Sequence, residues 1–146
     1  MTTVAQILKA KPPHAVLTVD ADAPVIDAIR LMTEHNVGAL VVLESRQVVG
    51  IVSERDCARK LILPQRSATS TPVSQIMSAP VLVVSPDRTS EQCMALMTEN
   101  RLRHLPVMDG LQLVGMVSIG DLVKQVVADQ QFVIEQLARY IAGERA

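Results

Sequence analysis

Tryptophan is absent, and Phe132 and Tyr140 are the only aromatic residues, both near the C-terminus. Proteins that hold single-stranded nucleic acid stack bases on several rings, so the chain is not expected to bind one. It also has no long basic tract, and its formal net charge is -1 at pH 7. The simplest electrostatic reason to expect nucleic acid is therefore missing. Cysteine is nearly absent too. Cys57 and Cys93 lie in helix-like segments without CxxC spacing or clustered histidines, which argues against a metal or redox motif and for buried thiols in a reducing cytoplasm. No apolar run reaches bilayer length, and "MTTVAQILKAK" lacks the apolar core of a signal peptide. A soluble, cytoplasmic protein without a membrane partner is expected. Finally, there is no nucleophile elbow, phosphate-loop lysine motif or zinc spacing, so no catalytic residues are expected and the chain is not expected to be an enzyme.

What is present is a repeat. At 146 residues and 49% hydrophobic, the chain suffices for one compact domain, or for two small ones that share a core. "VAQILKA" at Val4 returns as "VSQIMSA" at Val73, and "AVLTVDAD" at Ala15 returns as "PVLVVSPD" at Pro80. A four-residue insertion, Lys11 to His14, separates these registers. Downstream the spacing is constant: "LMTE" at Leu31 recurs at Leu96, and "QVVGIVSERD" at Gln47 recurs as "QLVGMVSIGD" at Gln112. Similarity of this kind is the signature of a duplicated unit.

Periodicity gives each unit the same order. A short strand at Val16 to Val19 precedes a helix opened by Pro24, with Val25, Ile29 and Met32 on one face. "ALVVL" and "VVGIV" predict a hairpin across "ESRQ", and Ser53 starts a second helix through Ala58 and Leu61. In the second unit "DG" at Asp109 and Gly110 marks the hairpin turn. The fold class is thus α+β: two β-α-β-β-α repeats, each with one apolar sheet face to bury, packed sheet to sheet with pseudo-two-fold symmetry. Repeat one is assigned to 1–66, a linker to 67–71 and repeat two to 72–129. Residues 130–146 form an amphipathic C-terminal helix and tail, with Val133, Leu137 and Ile141 on one line and Phe132, Gln136 and Tyr140 on another. Met32, Met94 and Met97 are expected as adaptable core.

"GIVSERD" and "GMVSIGD" carry the functional question. Ser53 with Asp56, and Ser118 with Asp121, have the spacing of a capping box, in which both side chains satisfy the helix's own amides. A carboxylate fixed one turn into a helix is also placed to accept hydrogen bonds from the two hydroxyls of a ribose. The free amides and dipole at the helix start favour an anion.

With the repeat and these two signatures together, the chain resembles the cystathionine β-synthase (CBS) domain family as a tandem pair, or Bateman module, from about Val4 to Val127. The preceding strand with its proline, "HLPV" at His104 to Val107, belongs to the same resemblance. It implies a stand-alone regulatory module that binds adenosine-containing ligands (AMP, ADP, ATP, NAD(H) or S-adenosylmethionine) in clefts between the repeats and transmits occupancy by conformational change. It also implies a homodimer formed through helices, with an unidentified regulated protein as partner. A fragment of an enzyme such as IMP dehydrogenase is a lesser expectation, since the chain begins and ends as a complete pair.

Beside the resemblance, Asp56 and Asp121 are the expected ribose acceptors, and Ser53 and Ser118 are placed to donate to ribose or phosphate oxygen. Arg55, Arg59 and Lys124 supply positive charge, or else form a solvated helix face. Gly120, where glycine costs helix stability, suggests close approach of a ligand to backbone, and its counterpart is Arg55, so the two sites should differ. Apolar strand ends at Val37 to Leu40 and at Leu102 to Pro106, Leu105 among them, are expected to sandwich adenine and to read its edge through backbone groups. The resemblance implies composite pockets, with Gly38 and Ala39 opposite Asp121 and Arg103 and His104 adding positive charge near the phosphates, or else His104 is a hydrogen-bonded structural histidine. Thr18 and Ile119 complete the expected ligand-binding set, with no metal ligand. The alternative function is a dimeric interaction or scaffold module whose nucleotide pockets are vestigial.

Overall fold

Helix α1 (Val4–Ala10) starts at a capping box in which Thr3 Oγ accepts from the Gln6 amide and the Gln6 side chain accepts from the Thr3 amide. The computed structural model describes residues 2–11 and 16–143; most of the Lys11–His14 insertion, and Ala15, lie outside them. Strand β1 (Thr18–Asp20) leads to α2 (Val25–His35), which begins just after Pro24 and ends at Asn36 in the left-handed region, φ 52°. The hairpin of β2 (Ala39–Glu44) and β3 (Gln47–Ser53) turns through Ser45 and Arg46, both at positive φ. A single helical turn, α3 (Glu54–Asp56), continues as a π-helix over Cys57–Ile62. After a 3-10 turn at Val73–Gln75 come α4 (Ser90–Asn100), β4 (His104–Asp109), β5 (Gln112–Ser118) and α5 (Ile119–Ile141).

The residues divide into two compact units: His14–Val83, and Val84–Ala146 together with Met1–Pro13. The units are therefore offset from the sequence repeats, because each contains the leading segment of the other repeat. In the unit built on the second repeat, the Val4 amide donates to Arg88 O at 2.8 Å and the Ala5 amide to Pro86 O at 2.9 Å. Ser90 N–H donates to Thr2 O, so the start of α1 is tied to the start of α4. In the other unit, the Val73 amide donates to Ala23 O at 2.8 Å, and Ile51 and Ser78 exchange backbone hydrogen bonds as an antiparallel bridge.

Two glycines accommodate these leading segments. A Cβ on Gly50 would lie 2.6 Å from Met77 Sδ, and one on Gly115 would lie 2.7 Å from Leu8 Cδ2. Leu8 and Met77 are equivalent in the repeat, so the glycine that opens each "GIVS" or "GMVS" serves close approach within the protein.

The first unit has a three-stranded sheet in the order β1-β2-β3, with β1 parallel to β2 and β2 antiparallel to β3. Its core gathers Val25, Ala28 and Met32 of α2 with Leu40, Val42 and Val52 of the sheet, and with Val73 and Ile76 of the leading segment of repeat two. Ile29, expected on the buried face, is only half-buried because Ala28 takes that place. The second unit has the β4-β5 hairpin, and its buried residues include Val4, Ile7, Cys93, Met97, Leu105, Val107, Val117 and Leu122. Met32 and Met97 are buried and Met94 is half-buried.

Two local expectations are corrected. The first strand of repeat two shrinks to one parallel bridge, Val84 with Val107. In the first unit Thr18 pairs with Val41, but the residue at Val41's place in repeat two is Pro106, which has no N–H to give. Only its carbonyl takes part, accepting from Val84 N–H at 3.0 Å. Secondly, the expected C-terminal helix is present but starts well before Gln130, since α5 runs unbroken from Ile119 to Ile141.

Candidate functional site

Strand β3 delivers Ser53 to the helix start in an extended conformation, φ -125° and ψ 165°, as a cap requires. Its Oγ accepts from the Asp56 amide at 3.2 Å, and Asp56 Oδ2 accepts from the Ser53 amide and from its hydroxyl, each at 3.0 Å. Asp56 Oδ1 accepts from Ser78 Oγ at 3.0 Å and lies 3.2 Å from Lys60 Nζ, one turn along the helix. Both carboxylate oxygens are thus engaged, and the residue is buried.

Strand β5 delivers Ser118 in the same way, φ -106° and ψ 164°. Ser118 Oγ accepts from the Asp121 amide at 3.2 Å, and Asp121 Oδ2 accepts from the Ser118 amide at 2.9 Å. The same Oδ2 also lies 2.9 Å from Lys11 Nζ, which donates in addition to Met116 O. Asp121 Oδ1 has no hydrogen bond among those of the described residues, and the side chain is 21% exposed. Burial raises the Asp121 pKa, but the Ser118 amide and the Lys11 ammonium outweigh it and hold the carboxyl below the usual range.

The capping geometry therefore exists in both signatures, but the carboxylates differ. One is closed by a neutral hydroxyl and a lysine on its own helix, whereas the other keeps one oxygen open among the described residues. Gly120 differs as well. A Cβ there would meet only Ser118 Oγ, at 3.6 Å, so packing within the chain does not require glycine at this position.

Within the first unit, Glu54 N–H donates to Gly38 O at 3.1 Å, and Ala39 pairs with Ser53. Thr18, paired with Val41, lies at the same end of the sheet, and Val37 N–H closes the end of α2 on Met32 O. In the second unit, Ile119 N–H donates to Arg103 O at 2.8 Å, and His104 pairs with Ser118. Gly38 and Ala39 are thus brought beside Ser53, and Arg103 and His104 beside Ser118, each pair within its own unit. The side chains of Ala39, Leu105 and Pro106 are buried, which leaves backbone as their means of contact. Arg55, Arg59, Arg103 and Lys124 are exposed.

Sequence reasoning missed Lys11, Lys60 and Ser78. The spacing of Asp56 and Lys60, an acidic residue four before a basic one, was a readable signal. Lys11 and Ser78 reach their carboxylates only through the exchanged leading segments, and no local pattern announces that. Among the described residues, no group of three or more His, Cys, Asp or Glu is placed to hold a metal ion, and no helix is long and apolar enough to cross a membrane.

A duplicated α+β unit with a Ser-x-x-Asp helix start in each copy defines a tandem CBS-type module. The chain belongs to the CBS domain family, whose profile matches residues 4–63 and 73–128. It is 41% identical over 150 residues to the mitochondrial CBS domain-containing protein CBSX3 of Arabidopsis thaliana, covering 97% of this chain and 73% of that one. Its structure is similar to that of a CBS-domain protein from Burkholderia ambifaria MC40-6, with a TM-score of 0.84 and 55% identity over 88% of this chain and 96% of that one. Two further solved structures share the fold. One is a hexameric CBS-CP12 protein from bloom-forming cyanobacteria (TM-score 0.76, 26% identity, 98% of this chain and 87% of that one). The other is the CBS pair of MJ0100 in complex with 5'-methylthioadenosine and S-adenosylmethionine (TM-score 0.76, 20% identity, 88% and 98%).

Proposed function

We propose that this chain is a non-catalytic regulatory module that binds an adenosine-containing ligand (AMP, ADP, ATP, NAD(H) or S-adenosylmethionine) and transmits its occupancy to a protein partner. The observation that carries the reading is the pair Gly120 and Asp121. Asp121 Oδ1 is without a partner among the described residues, and packing asks for no glycine at the adjoining Gly120, where a Cβ would make only an ordinary contact with Ser118 Oγ. A ribose hydroxyl can donate to that oxygen while a phosphate oxygen approaches the Gly120 backbone. Asp56, with both oxygens occupied, is the weaker acceptor. Occupancy transmits a signal only if the ligand prefers one arrangement of the protein.

Calorimetric titration with AMP, ATP, NADH and S-adenosylmethionine tests this. Binding of at least one ligand below millimolar is expected, and no binding by any of them overturns the reading. Asp121→Asn is expected to weaken binding by about 1.5 to 3 kcal/mol, with a smaller loss for Asp56→Asn.

The compartment proposed is the cytoplasm, on the strength of two buried free thiols. The oligomer proposed is a homodimer. An interaction module with vestigial pockets is the alternative, favoured by the full use of Ser53 and Asp56 as a cap. The same titrations separate the two.

A further inference from the structure

The N-terminal half of α5 turns one face to its own unit. Leu122 is buried, Val126 is half-buried, and Gln125 Nε2 donates to Thr2 Oγ1 and to Asp129 Oδ1. A second face carries Val123, Val127, Gln130, Ile134, Leu137 and Ile141, spaced alternately four and three residues apart. These apolar residues are 48%, 60%, 57%, 57% and 83% exposed, in order. From Gln130 to Gly143 every residue but Gln136 is exposed, so the last three turns have almost nothing of their own chain to lie on. A helical stretch of that length is marginal in water by itself.

We infer that this seam pairs with the same seam of a second copy as a parallel, in-register two-stranded coiled coil. The inference specifies the surface of the dimer proposed above and is independent of the nucleotide reading. An alternating spacing of four and three is the heptad repeat that keeps one stripe facing a partner helix. Val127, Ile134 and Ile141 occupy the positions where β-branched residues favour two strands, and Leu137 the position where leucine does. With the flanking Val133 and Tyr140, the stripe offers on the order of 700 Å² of exposed surface, close to the ~800 Å² per partner of a stable interface. Gln130 selects the direction. In the parallel register it meets its own copy and the two amides hydrogen-bond, whereas an antiparallel pair centred on the stripe sets it against Ile134. The flanking contacts of the parallel pair, Val126 with Gln131 and Val133 with Ala138, bring no like charges together.

Sedimentation equilibrium at micromolar concentration is the test. The parent is expected to contain an even number of chains, halved by Ile134→Asp and unmoved by Phe132→Asp, which lies off the seam. Gln130→Cys should form an interchain disulfide under mild oxidation. A single-chain parent mass, or a mass unchanged by Ile134→Asp, overturns the interface, and no disulfide in an intact dimer overturns the parallel register. Nucleotide titration of Ile134→Asp keeps the two readings distinguishable, since loss of pairing with binding retained bears on the seam alone.

Discussion

Lys11 Nζ lies 2.9 Å from Asp121 Oδ2, joining the end of α1 to the first turn of α5 across most of the chain's length in sequence. The contact fastens the exchanged leading segment of repeat one to its unit, and it engages one oxygen of the signature carboxylate.

Lys11→Met should lower stability at pH 7 by about 0.5 to 1.5 kcal/mol, the range for a partly exposed charge-assisted pair. The Asp121 carboxyl is held below its ordinary range in the folded state. Its contribution is therefore complete above the unfolded value, about 3.9, and is lost as pH falls through the lower folded value. Urea unfolding at pH 7 and near pH 3 should show the parent and variant converging at the acid end. An undiminished gap there would mean that the lysine acts through packing.

Gly50→Ala should cost about 1 to 3 kcal/mol, because the added methyl overlaps Met77 Sδ and crowds the Ser78 carbonyl, and Gly115→Ala less, because the Leu8 side chain that it overlaps is half-buried and able to shift. For Gly115→Ala a second substitution, Leu8→Ala, should recover part of the loss. Thermal unfolding of the double and single variants measures the coupling, and strictly additive effects would contradict the close approach.

Ser90, at the first position of α4, is fully buried, and its Oγ has no hydrogen-bond partner among the described residues. Val25 occupies the equivalent place in α2. Ser90→Ala is expected to raise stability by about 1 kcal/mol, since it removes a desolvated hydroxyl at little cost in volume. A lower melting temperature would reveal a partner for that hydroxyl.

Burial raises the thiol pKa of Cys57, with Asp56 and Glu54 adding to the rise, and burial raises that of Cys93. Both should be mostly protonated at pH 8 and react with a disulfide reagent at least about a hundredfold more slowly in the native than in the unfolded protein. Equal rates in the two states would show that both sites open freely.

Much of this was legible in the sequence. Alternating apolar runs announced the hairpin of β2 and β3 and that of β4 and β5, and "SERD" and "SIGD" announced helix starts, because caps and strands depend on neighbours a few residues apart. The shortened first strand of repeat two was less visible. Pro106 matters there only because Val84 lies alongside it, a relation across the fold.

The site was divided in the same way. The sequence by itself determined the duplication, the α+β class and the Ser-x-x-Asp pairing at each helix start, all set by local periodicity and spacing. Only the tertiary structure decided that each unit contains the other repeat's leading segment, bringing Lys11 to Asp121 and Ser78 to Asp56. The physical reason is that exchanged packing rests on contacts between residues far apart in the chain. Asp56 and Asp121 are alike in sequence, and the partners brought to them make one a closed cap and leave the other, among the described residues, with an open oxygen.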